Sequence, residues 1–123
     1  MSHVTQYASI AAWSDEAHVE ENRRQYRQKF EALVPMLAPV MKAPKPEAGF
    51  YLWARVPHGD DERFARELFA ATHVTVLPGS YLARDAHGTN PGRDFIRIAL
   101  VAGTPECVEG AQRIVDFCRA LAR

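Results

Sequence analysis

An α+β fold is predicted: a small sheet of about three strands covered by helices on one face, with a long N-terminal linking helix. Three observations predict it. Apolar residues recur at helical spacing over residues 15 to 41, period-two alternation appears around residues 50 to 56 and 93 to 100, and no βαβαβ run is present that would build a parallel sheet.

Residues 4 to 13, VTQYASIAAW, read as a short Ala-rich helix with little of its own to pack against. Ser14 and Asp15 then offer N-cap chemistry for a long helix in which Val19, Tyr26, Phe30, Leu33, Leu37 and Val40 form one narrow apolar stripe on a charged rod. Pro35 and Pro39 each remove a backbone donor, so this helix stops near Val34 or continues bent to Met41. KAPKPEAG, residues 42 to 49, is a Pro-rich connector.

The next stretch, FYLWARV, is a strand with Phe50, Leu52, Ala54 and Val56 on one face and Tyr51, Trp53 and Arg55 on the other. PHGDD supplies a turn and an Asp N-cap, and Phe64, Ala65, Leu68, Phe69 and Ala71 give a helix from 61 to 72. VTVL, residues 74 to 77, is a short apolar strand ended by Pro78 and Gly79, and a polar loop leads to the third strand, RDFIRIAL, residues 93 to 100. Thr104 caps a terminal helix with Pro105 at its first position, and Val108, Ala111, Ile114, Val115, Cys118 and Leu121 face inward.

Composition narrows the function classes. The 123 residues make about one domain, and 15 basic against 15 acidic residues leave no net charge to draw the chain to nucleic acid or an anionic membrane. No apolar run approaches the ~20 residues of a spanning helix, and the opening MSHVTQYASIAAW lacks the basic and apolar regions of a secretory signal, so a cytoplasmic location is expected. Cys107 and Cys118 lie eleven residues apart in one helix and cannot pair; both read as buried small hydrophobes. The five histidines show no metal-site spacing, and no metal is expected.

In the third strand Ile96, Ile98 and Leu100 share one face while Phe95, Arg97 and Ala99 share the other. The sheet's second face therefore carries Tyr51, Trp53, Arg55, Phe95, Arg97 and Ala99, too apolar for plain exposure and too charged for a core. Three readings of Arg97 follow from strand position: a guanidinium reaching solvent over apolar neighbours, an ion pair with Asp94 or Glu47, or bidentate recognition of a carboxylate or phosphate.

The stretches PEAGFYLWARV, VTVLPGSYL and FIRIALV, followed by the TPE helix, resemble in order and spacing the C-terminal small domain of fold-type I pyridoxal-phosphate aminotransferases. The resemblance covers residues 15 to 123. With YASIAAWSDEAHVEENRRQYRQKF it is nearest to the N-succinyldiaminopimelate aminotransferases. It implies that residues 1–14 are the end of a large-domain helix, 15–41 an interdomain helix and 42–123 the small domain. It places the substrate α-carboxylate on Arg97 and the substrate's passage near Gly49 and Phe50, with dicarboxylic amino and keto acids as substrates and glutamate as amino donor. Arg55 and Arg84 flank the right motifs to meet a second carboxylate.

The same resemblance implies pyridoxal phosphate in a complete enzyme, held by a Schiff-base lysine, an aspartate on the pyridine nitrogen and a phosphate loop. This chain's three lysines, Lys29, Lys42 and Lys45, lie in the charged helix and the connector, none in the family's Ser-x-x-Lys context. No catalytic or cofactor-binding residue is therefore expected in it, and on its own it is expected to be inactive and not to bind the cofactor. A homodimer through residues 1 to 40 is expected. The alternative is a free-standing ligand- or protein-binding module; as an RNA-stacking sheet it is disfavoured by neutral charge and the missing RNP1 pattern.

Overall fold

The computed structural model describes residues 1–122. In chain order it contains helices α1 (His3–Ser14) and α2 (Ala17–Leu37), strand β1 (Tyr51–Arg55), helix α3 (Asp61–Thr72), strands β2 (Leu77–Pro78) and β3 (Phe95–Ala99), and helix α4 (Thr104–Leu121). The strands form one antiparallel sheet in the order β1-β3-β2. This is the predicted α+β architecture of three strands.

Alternation builds the core. Tyr51 pairs with Ala99, Leu52 with Ile98, Trp53 with Arg97, Ala54 with Ile96 and Arg55 with Phe95, so every aliphatic residue of β1 meets one of β3 on the same face. Leu52, Ala54, Ile96, Ile98 and Leu100 join Phe30, Leu33 and Leu37 of α2, Phe64 and Leu68 of α3, and Ala111, Ile114 and Val115 of α4 in one buried cluster. Each such Leu, Ile or Phe withdrawn from water contributes about 1.5 to 3 kcal/mol.

Local signals decide where the helices start and stop. The Asp60 carboxylate accepts from the Arg63 amide at 2.9 Å to open α3, and His73 closes it in the left-handed region at φ 58°. The expected cap of α2 is displaced. Asp15 accepts from the Ala17 amide at 3.1 Å, but Glu16 occupies the N-cap position. α2 runs through Pro35 to Leu37, because a proline two residues from the end costs little once the last turns tighten into 37 to 41. For α4 the cap is Gly103, whose amide donates to the Glu106 carboxylate at 2.9 Å; Thr104 and Pro105 are already inside the first turn, and Leu121 at the far end is exposed.

Two strand boundaries differ from expectation. VTVL is not a strand: only Leu77 pairs, with Arg97, and the ladder then includes Pro78 opposite Ile96. The apolar run 74 to 76 is a connector with Val76 buried, and Pro78 is tolerated because β2 is an edge strand. Strand β3 begins at Phe95, since Asp94 adopts φ 70° and cannot continue extended pairing.

Gly79 and Gly92 bring the 3₁₀ turn after β2 against the loop before β3. A Cβ on Gly79 would overlap the Gly92 carbonyl and lie 2.8 Å from both the Phe95 carbonyl and the Trp53 ring. Gly79→Ala is therefore expected to destabilise the chain by about 1 to 3 kcal/mol through overpacking, measured as a lower urea midpoint at unchanged slope. An unchanged midpoint would show that the two loops separate at no cost.

Candidate functional site

The face of the sheet turned away from the helices carries the chemistry. Arg97 on β3 lies directly across from Trp53 on β1, and its guanidinium stands 5.7 Å from the Tyr51 ring centroid. Trp53 and Phe95 stack with centroids 5.6 Å apart and planes at 13°. All of these side chains except the more exposed Tyr51 are half-buried.

Of the three readings of Arg97, the structure removes the ion pair. Among the described residues no carboxylate lies within 4.0 Å of its guanidinium; Asp94 approaches Arg55 instead, at 3.7 Å. The Arg97 Nε is fully buried and has no hydrogen-bond partner. A buried N–H without an acceptor costs about 1 to 3 kcal/mol.

The other expected site residues lie elsewhere. Gly49, at φ 104°, and the exposed Phe50 line a cavity of about 670 Å³ between the connector and α2, together with Arg23, Tyr26, Arg27 and Lys45. Arg97 does not line it. A second cavity, of about 340 Å³, lies on the outer face and is lined by Lys42, Lys45, Tyr51, Trp53, Arg55 and Phe95; Arg97 does not line this one either. Arg55 is in it; Arg84 is exposed on the loop after the 3₁₀ turn and lines neither cavity.

Two supporting residues were hidden in the sequence. Lys29, which reads there as one more charge on α2, is buried, and its Nζ donates to the Leu100 carbonyl at 2.8 Å while lying 4.7 Å from the Tyr26 ring centroid. The Leu100 amide in turn donates to the Phe50 carbonyl at 2.9 Å, so one lysine ties α2 to the ends of both long strands. The signal was its spacing: Tyr26, Lys29, Phe30 and Leu33 fall on one helical face. Asp61, in the first turn of α3, is also buried; its carboxylate accepts from the amides of Ser80 at 2.8 Å and Asp94 at 3.3 Å. It thereby anchors both loops that lead into the site.

Burial acts to raise the Asp61 pKa, but the hydrogen bonds from Ser80, Asp94 and its own amide outweigh it and hold the carboxyl below its ordinary value of 3.8. Both cysteines are buried, and burial pushes Cys118 up to about 11, so it is an inert core thiol at neutral pH. No cluster of metal-ligating side chains occurs among the described residues. No helix among them is long and apolar enough to cross a membrane.

Known proteins share this fold. The family model of aminotransferase class I and II matches residues 1–114. An LL-diaminopimelate aminotransferase of Desulforudis audaxviator is 33% identical over 114 residues, 90% of this chain and 28% of its own length. Among solved structures, an aminotransferase from Neisseria meningitidis superposes with a TM-score of 0.92 at 50% identity, over 97% of this chain and 30% of that one. A probable N-succinyldiaminopimelate aminotransferase from Thermus thermophilus superposes at 0.71 and 33% identity, over 87% and 27%. The chain thus spans less than a third of the length of these relatives.

Because the folded-state pKa of Asp61 is depressed, its stabilisation is fully present above the unfolded value near 4 and is lost as the pH falls through the folded one. Asp61→Asn is expected to cost about 1 to 3 kcal/mol at pH 7 and progressively less below pH 4, measured by urea unfolding across that range. A pH-independent difference would mean that the charge on Asp61 contributes nothing.

Proposed function

The chain belongs to the aminotransferase class I and II family, and on that premise we propose that it supplies the substrate-carboxylate clamp of a pyridoxal-phosphate-dependent amino transfer, with Arg97 as the clamp. The observation that carries this reading is the Arg97 guanidinium itself, half-buried on the outer face against the Tyr51 ring and free of any carboxylate partner among the described residues. A planar guanidinium gives a carboxylate two parallel hydrogen bonds, and Tyr51 and Trp53 around it displace competing water. Gly49 and Phe50 line a separate cavity, and their place at the edge of the substrate's path is proposed from the motif, with the contact of the Phe50 ring to Tyr51, edge to face at 5.5 Å, linking Phe50 to the Arg97 face.

Membership of the family implies pyridoxal phosphate in full-length enzymes. The residues of this chain do not fit the cofactor by themselves. Lys29 is buried with its ammonium bound to the Leu100 carbonyl, and Lys42 and Lys45 stand on the connector, so none is placed as a Schiff-base lysine. The part of the reaction this chain performs is to bind and orient; proton transfer is assigned to no residue in it, and alone it has no amino-transfer activity.

In this reading residues 1–14 end a large domain, 15–41 link the domains and 42–123 form the small domain. The relatives named for diaminopimelate and N-succinyldiaminopimelate support a dicarboxylic amino acid and keto acid as the substrate pair, in lysine-precursor synthesis. Glutamate as donor is proposed from the motif resemblance alone.

Titration of the chain with hexanoate, followed by NMR of the arginine side-chain N–H groups, tests the clamp. Arg97→Lys, which retains the charge but not the fork, is expected to weaken binding about tenfold or more. Equal affinity of the two proteins would overturn the assignment, and amino transfer by the chain supplied with pyridoxal phosphate, glutamate and a keto acid would overturn its inactivity.

A further inference from the structure

The first half of α2 stands clear of the core. Every buried residue of that helix lies at Lys29 or beyond, and Glu16, Glu20, Arg23 and Arg27 are all exposed. Glu16 keeps helical backbone angles, φ −83° and ψ −18°, so the four recur at spacings of four, three and four and share one face. From its N-terminal end that face reads acid, acid, base, base. Glu16 with Glu20, and again Arg23 with Arg27, are like charges one turn apart, an arrangement that weakens a helix left to itself.

Other charges of this stretch are neutralised within the chain: Arg24 pairs with Glu21 at 2.7 Å and His18 with Asp15 at 3.1 Å. Among the described residues the four on the stripe have no opposite charge within 4.0 Å. Reversing the direction of such a stripe exchanges its acids for its bases. An antiparallel copy with its two-fold axis between residues 21 and 22 sets Glu16 across from Arg27 of the partner subunit and Glu20 across from Arg23 of the partner subunit, and symmetry makes each contact twice. A parallel copy in the same register would oppose glutamate to glutamate and arginine to arginine.

Apolar surface adjoins the stripe. Val19 and Tyr26 of α2 are half-buried, and α1, just before it, exposes Val4, Tyr7, Ile10 and Trp13 while burying no residue. We propose that the free half of α2 is an interface between two copies of this chain, an antiparallel two-fold pair held by Glu16 with Arg27 and Glu20 with Arg23. The pairing uses no residue of the outer sheet face, so it goes beyond the reading of Arg97 and stands or falls apart from it.

Sedimentation equilibrium of the full chain over a range of protein and salt concentrations tests the interface. Wild type is expected to form a dimer whose Kd rises severalfold as salt goes from about 0.05 to about 0.5 M, because exposed ion pairs are screened. Reversing one half of the stripe, as Glu16→Arg with Glu20→Arg or as Arg23→Glu with Arg27→Glu, leaves four like charges on the face and is expected to weaken the dimer about tenfold or more. Mixing the two variants is expected to restore association, since an all-basic stripe then meets an all-acidic one, a recovery that a merely frayed helix would not give. A wild type that stays monomeric overturns the proposal. So does a dimer whose affinity neither reversal changes, which would place the second copy on another face, and so does failure of the mixed variants to associate.

Discussion

The β1 and β3 ladder is the constraint on which the rest of this structure depends. Its register puts the aliphatic positions on one face and the arginines and aromatics on the other, and side chains in a strand have only those two faces. A slip of β3 by one residue would turn Phe95 and Arg97 into the core and leave Ile96 and Ile98 in water, so the helices covering the aliphatic face enforce the orientation of the site. Stability and the chemistry of the outer face are in this sense one choice.

Buried polar groups hold the ends of that ladder. Lys29 reaches from α2 to the carbonyl just beyond β3, and Asp61 gathers the amides of Ser80 and Asp94 at its other end. Each occupies a site where removing the partner would strand a backbone group away from water, which is the costly case for a hydrogen bond. The strand that carries Arg97 is therefore pinned at both ends by side chains from helices, while the Arg97 Nε is left without an internal partner. A clamp whose backbone is fixed and whose donors are unspent loses little freedom on binding its ligand.

The outer face has the composition of a surface made to be covered. Trp53 and Phe95 stack where an ordinary solvent face would carry polar residues, and α1 exposes Val4, Tyr7, Ile10 and Trp13 without burying any residue. A twelve-residue helix with no packed face is marginal in water.

Period-two alternation in FYLWARV and FIRIAL was enough to assign the two long strands and their faces, and the capping aspartate with its apolar repeat was enough to bound α3, because these signals act between neighbours in the chain. The motifs also pointed to the family and to Arg97. VTVL misled because a run of β-branched residues states a preference for burial, which a connector satisfies as well as a strand does. Lys29 and Asp61 could not be recognised as buried anchors, since their partners are 71 and 19 to 33 residues away. The sequence by itself determined the α+β class, the two-faced strands and the arginine on the outer face. Only the tertiary structure decided that Asp94 pairs with Arg55 and not Arg97, that Gly49 and Phe50 line a different cavity from Tyr51 and Trp53, and that Arg55 lines the latter while Arg84 and Arg97 line neither. Those outcomes depend on strand register and loop packing across the fold, which no local pattern of residues encodes.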